Sequence, residues 1–346
     1  VLWRITLPLA APAIAAAALV IFVLAASEFG VPGLLRVRVY TTEVFTAFAA
    51  LYDFGRAIVL TVPLLVLSVA AAGLAGVIAG DRLVAGRRRS TAPSSMLDGC
   101  RRPAIAAVLV VLTAALVAPL AILVGEAQAA RSVPAVLSGS GPAIARSLVL
   151  AAVGATLVVI VASVIGHARA RARARPGAFV DVMLIGLFAV PGTVVAVGLI
   201  GLWNRPGWSG AVYGTDAMLV LGYLARFIPV AALALAAASR AVPASQEEAA
   251  AVSGAGWVRT TWHIVLPQLR LGLLATWVIV FVLAFGELGV SILVVPPGEA
   301  TLPIRIYTII ANTAPAHVAA LALLQAVVVL VPLAGLGALL SSRERS

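Results

Sequence analysis

Apolar runs of about twenty residues recur along the whole chain, separated by short polar or Arg-rich stretches. The pattern predicts eight membrane spans, near 10–28, 57–79, 104–124, 143–165, 178–202, 217–238, 271–293 and 316–340. Twenty residues make a helix of about 30 Å, the thickness of a bilayer core. A helix is the only open form that satisfies every backbone group within one spanning segment. The period-two alternation of a lipid-facing barrel strand is absent from the sequence. The expected fold class is therefore an all-α polytopic membrane protein.

Composition agrees, since 62% of the 346 residues are hydrophobic and only 11% charged, against about a quarter charged in a soluble domain. The formal charge is +11, and all 24 basic residues are Arg. Without Lys the chain cannot build a Walker A phosphate loop, so any ATP that drives it is hydrolysed by another chain. The Arg residues cluster between apolar spans, which reads as loop charge fixing orientation rather than as a nucleic-acid surface. The loops 1–9, 80–103, 167–176, 239–270 and the tail from 341 hold 16 Arg, and the opposite loops hold 7. The first set is expected to face the cytoplasm, with both termini. The stretch 167–176, where Ala and Arg alternate, reads as a short inner loop near anionic head groups, with Asp181 answering its charge. The lone Cys100 excludes an intrachain disulfide. The scattered His167, His263 and His317 offer no ligand set, so neither a metal nor a cofactor is expected.

Residues 2–31 align without a gap on 261–290, with twelve identities that include Trp3/Trp262, Ile5/Ile264, Leu7/Leu266, Pro8/Pro267, Glu28/Glu287 and Gly30/Gly289. Apolar composition alone does not place Trp, Ile-x-Leu-Pro, Glu and Gly in one register. Six expected spans separate the copies, so both have the same orientation, as in a parallel repeat. The chain then divides into 1–79, the last two spans of a first half; 80–103, an Arg-rich linker; and 104–346, a second half of six spans. It begins inside a motif, so it is expected to be an N-terminally truncated piece of a protein with about twelve spans.

The longest polar segment lies just before the second copy. Pro243-Ala-Ser245-Gln-Glu-Glu248 reads as a helix start, with Ser245 and Glu248 at capping-box spacing. Ala249, Ala250 and Ala251 favour helix and leave a narrow surface for a partner. Gly254 and Gly256 supply the bend that ends it. Trp257, Trp262 and Ile264 form the apolar face of a second short helix, and Pro267 interrupts the ladder before the next span. The expected product is a rigid elbow at the inner face. Within the spans, Arg226 stands mid-helix, at a cost of about 2.5–3.5 kcal/mol if unpaired. Arg226 and Glu287 fall at similar depths, so the two can pair. Glu28 repeats Glu287, so two carboxylates facing one cation pathway and carboxylates that only bind helices together both remain open readings.

Glu248-Ala249-Ala250, Gly254 and Ile264-x-Leu266-Pro267 resemble the EAA loop of binding-protein-dependent ABC transporter permeases, and Ile5, Leu7 and Pro8 retain the end of a first copy. Phe188–Gly192 (FAVPG), Tyr223–Pro229 (YLARFIP), Phe285–Val290 (FGELGV) and Pro296–Tyr307 (PPGEATLPIRIY) look like the fused tandem permeases of the ferric-iron and thiamine type. The resemblance implies a bacterial inner-membrane transport subunit with no bond chemistry of its own, in tandem type I importer domains. It implies two ATP-binding subunits docked on the loops and an extracytoplasmic solute-binding protein. Ferric iron is the expected cargo. Thiamine, polyamine, phosphonate and sulfate or molybdate are the alternatives, followed by an ion-coupled secondary transporter and a non-transporting scaffold.

Overall fold

The computed structural model describes residues 7–79, 98–128, 136, 139–172 and 174–344. The linker 80–97, Ile5, Trp3 and the loop arginines Arg4, Arg131, Arg173 and Arg345 lie outside them. Among the described residues every regular element is helical. Among these helices six are long and apolar enough to cross a membrane, or seven with a bent pair taken as one, rather than the eight expected. In chain order the long helices are α1 (Leu7–Ala26), α2 (Phe54–Ala79) and α3 (Asp98–Leu112, Thr113–Val117 and Ala118–Gln128 in one run). They continue with α4 (Gly141–Arg171), α5 (Ala174–Ala189), α6 (Gly192–Trp203) and α7 (Asp216–Arg240). The last three are α8 (Ala244–Val252), α9 (Trp257–Phe285) and α10 (Pro315–Glu344).

Three expectations need correcting. The span expected at 178–202 is not straight: α5 and α6 meet at 90°, because Pro191 adopts an extended backbone as the N-cap of α6. The stretch expected as a loop from His167 is helical through Arg171, because its arginines turn inward to carboxylates rather than out to lipid head groups. Pro267 does not interrupt the next span, which runs unbroken from Trp257 and ends at Phe285. A π turn at Thr261–Val265 takes up the strain, with the Leu266 N–H bonding the Thr261 carbonyl. One extra residue in the turn widens the ladder where a proline ring would collide with the preceding carbonyl. The same device recurs at Thr113–Val117, two residues before Pro119.

The core lies where α4, α7 and α9 meet. Ala155, Val158 and Ala162 of α4, Met218, Leu219, Tyr223 and Leu235 of α7, and Val280 and Phe285 of α9 are all within 2% of full burial. Lipid tails are as apolar as leucine, so helices here associate by close fit. A Cβ on Gly166 would stand 2.8 Å from the Ala232 carbonyl, and one on Gly154 would stand 2.8 Å from the Tyr223 ring. The described residues before the linker, 7–79, lie against this bundle. Val44 and Leu64 meet Val197 of α6, and Val23 and Ala71 meet Ala189 of α5. Helix α3 rests on α10 through Ala127, Ala319 and Ala320, and its other faces, with Val110 and Ile122, are exposed to the bilayer.

The close approach at Gly166 gives a direct check. Gly166→Ala forces α4 off α7 backbone and should cost about 1–3 kcal/mol, the usual range for overpacking. Gly125→Ala, at a position with nothing within 4 Å, should be neutral. Thermal unfolding of the detergent-purified protein compares the two, and equal midpoints would contradict the packing argument.

Candidate functional site

The elbow is built from its backbone outward. Helix α8 starts at Ala244 with Pro243 as N-cap and no side-chain cap bond. The expected capping box is therefore absent: Ser245 already lies inside the first turn. The C-terminal end is as expected. Gly254 has φ +79, the left-handed region, and the Ala255 N–H bonds the Ala250 carbonyl at 2.9 Å while the Gly254 N–H bonds that of Ala251 at 3.0 Å. This is a Schellman ending, for which glycine carries no Cβ penalty. Ala250 is buried beneath the elbow, whereas Glu248, Ala249, Ala251 and Gly254 are exposed. Ile264 and Leu266 are half-buried and Pro267 is exposed. Val252 is 91% exposed, and Trp257, Val258 and Trp262 continue an uncovered apolar surface across the bend. In the first copy Leu7 is exposed and Pro8 stands in the first turn of α1.

What fixes the elbow is a residue outside the sequence motif. Glu247 receives Arg171 Nε at 3.0 Å on Oε1, with Arg171 Nη2 on the same oxygen. His167 Nε2 lies 3.4 Å from Glu247 Oε2. Arg171 Nη2 also donates to the Val242 carbonyl at 3.0 Å. Gln268 donates to Gln246 at 2.6 Å, and Val242, Val265 and Leu269 form an apolar footing. Two residues back on α4, buried Arg169 grips Asp181 of α5 through Nε at 2.7 Å and Nη2 at 2.6 Å. The signal was present in the sequence. His167 and Arg171 are four apart and share a helix face, and Glu247 is three from Ala250 and so points inward with it.

The second site lies within the bilayer. Arg226 Nε is 3.0 Å from Glu287 Oε2. Glu287 Oε1 accepts the Val290 N–H at 2.9 Å, and Arg226 Nη1 reaches the Val190 carbonyl, freed by the break before α6, at 3.4 Å. Glycine lets the pair fit: a Cβ on Gly192 would lie 2.9 Å from Arg226 Nη1 and 3.0 Å from Glu287 Oε1. Glu28 makes the same turn. Its Oε1 accepts the Gly30 N–H at 2.8 Å and the Val31 N–H at 3.4 Å. Unlike Glu287, which is 8% exposed, Glu28 is exposed and borders a cavity of about 320 Å³ with Tyr40, Pro63 and Leu67. The two copies touch, since a Cβ on Gly30 would lie 3.4 Å from Leu288 Cδ2. Among the described residues no three His, Cys, Asp or Glu side chains converge on a metal-sized space.

Residues 158–345 match the model of the binding-protein-dependent transport system inner membrane component, and the chain belongs to that family. It is also similar to a putative ABC transporter permease protein, ORF1, of Streptomyces antibioticus, at 45% identity over 87 residues. That match covers 25% of this chain and 38% of the relative. The chain is thus a multi-pass membrane protein of that family.

The intramembrane pair can be tested by its asymmetry. Glu287→Leu alone leaves Arg226 unpaired and should cost about 3–5 kcal/mol, whereas Glu287→Leu with Arg226→Met should recover most of that. Unfolding midpoints in detergent read both. A single variant as stable as the unmodified chain would mean that the pair holds nothing together.

Proposed function

We propose that this chain is part of the permease of a bacterial ABC importer, with both ends of the chain in the cytoplasm and its solute path between two related halves. The observation that carries the proposal is the elbow: a short, rigidly footed helix with Glu248, Ala249 and Val252 uncovered beside Trp257. Separate ATP-binding subunits, two per complex, are its proposed partners, one on this elbow and one on the loop ending at Ile5, Leu7 and Pro8. An extracytoplasmic binding protein delivers solute to the opposite face. Val252, Trp257, Val258 and Trp262 together expose apolar surface on the elbow, the kind that marks an interaction site. The polar, exposed Gln268 and Arg270 follow it in sequence before the apolar part of α9, which favours a protein rather than lipid as its cover.

Ferric iron is the proposed cargo, on the resemblance of the FGELGV and YLARFIP segments and on the Glu28 carboxylate beside its cavity. Glu287 enters that path only if Arg226 releases it. The alternating-access cycle then needs a motor, and ATP-binding subunits closing on nucleotide supply one.

Co-purification is the first test. The full-length permease should retain its ATP-binding subunit through affinity purification, and Glu248→Lys with Ala249→Trp should reduce the retained amount at least tenfold. Retention equal to the unmodified protein would refute docking at the elbow. Radiolabelled ferric iron and thiamine, offered separately to proteoliposomes with the matching binding protein, then assign the cargo. Thiamine uptake without iron uptake would overturn the iron reading.

A further inference from the structure

We infer that α4 is the strut that carries movement of the elbow to the far end of the bundle, and that Glu247 is the positioning residue that locks the elbow onto it. The inference rests on the docking reading of the elbow. At one end of α4, Arg171 and His167 hold both oxygens of Glu247. These side chains are only 14–26% exposed, so salt screens the latch less than it would a surface pair. Glu248, the next residue, faces solvent. Two adjacent carboxylates thus divide the work, one facing an outside partner and one facing the bundle.

Midway, Gly154 and Gly166 bring α4 into contact with α7, and Trp277 Nε1 of α9 donates to Thr156 Oγ1 at 3.0 Å. At the far end Arg146 pairs with Asp216, the first residue of α7, and with Glu299 in the loop beyond α9. The buried Ser147 Oγ accepts the Leu302 N–H at 2.6 Å. One helix of 31 residues, about 46 Å long at 1.5 Å per residue, therefore ties the elbow to the loops at the opposite face.

Helix α4 also has the stiffness a strut needs. Its proline lies in the first turn. Elsewhere Pro63, Pro103, Pro229 and Pro332 stand inside helices, α1 carries Pro12, α5 and α6 are bent apart, and α3 and α9 contain π turns. Among the described helices long and apolar enough to cross a membrane, α4 alone has neither an interior proline nor a π turn nor a break, the features at which helices bend.

The test uses the full-length permease with its ATP-binding subunits in nanodiscs, with Cys100→Ser and spin labels at Leu51→Cys and Gly139→Cys. Both label sites are exposed, Gly139 two residues before α4 and Leu51 three residues before α2. Trapping with Mg-ATP and vanadate should shift the distance between the labels. Glu247→Gln should cut that shift to less than half while the ATP-binding subunits stay bound, and Glu247→Arg with Arg171→Glu should restore it. If the exchanged pair does not assemble, Glu247→Gln with Arg171→Gln replaces it. A loss no larger than that of Glu247→Gln alone then supports the latch, and an additive loss overturns it. A full shift in Glu247→Gln, or no shift in the unmodified complex with nucleotide trapped, overturns the strut alone. Failure of the unmodified permease to hold ATP-binding subunits removes the docking reading as well.

Discussion

Everything in this bundle depends on how closely α4 and α7 can approach. In water, apolar faces are driven together. In lipid they are not, and fit replaces exclusion. Gly154 and Gly166 let α4 rest against a Tyr223 ring and against α7 backbone, and the resulting seam contains the most completely buried side chains of the chain. With the seam fixed, the ends of α4 are fixed too. Arg146 at one end, and Arg169, Arg171 and His167 at the other, then find their carboxylates without searching for them.

Polar groups inside the seam obey a stricter rule. The bend between α5 and α6 frees the Val190 carbonyl, and Arg226 takes it. The loop after α9 frees the Val290 N–H, and Glu287 takes it. The ion pair between them closes both accounts of unsatisfied hydrogen bonding at once, and it does so only because Gly192 and Gly289 leave room. A charge at this depth would be costly alone. Here it is one part of a four-group arrangement in which backbone irregularity and side-chain charge offset each other.

Much of this was legible in the sequence, for identifiable reasons. Helical class followed from run length, a signal that tertiary contacts do not override, but span number did not: eight spans were expected, and six or seven helices among the described residues are long and apolar enough. Gly254 was legible because the left-handed turn it occupies tolerates few other residues. The Arg226–Glu287 contact followed from depth alone. The bend at Pro191 was not legible, since an apolar run with a proline reads the same whether the helix kinks or breaks. Asp181 was read as the answer to the Arg run and meets it through Arg169, whereas Glu247, the partner of Arg171, was missed because Arg beside Ala in an inner stretch looks solvated until folding brings a distant carboxylate to it. Ser245 misled because capping-box spacing was matched one residue inside a helix that Pro243 already starts.

Glu247 and Glu248 differ in which way each faces. In the docking proposed for the elbow, the partner touches the outward face: Glu248, Ala249 and the glycine that turns the chain. The inward face answers to this protein's own α4, whose His167 and Arg171 are local solutions to the same problem of footing. A coupling element has to be exposed enough to be pushed and bound firmly enough to push something else. Helical phase permits both within two successive residues, because adjacent side chains on a helix are about 100° apart and so cannot face the same way.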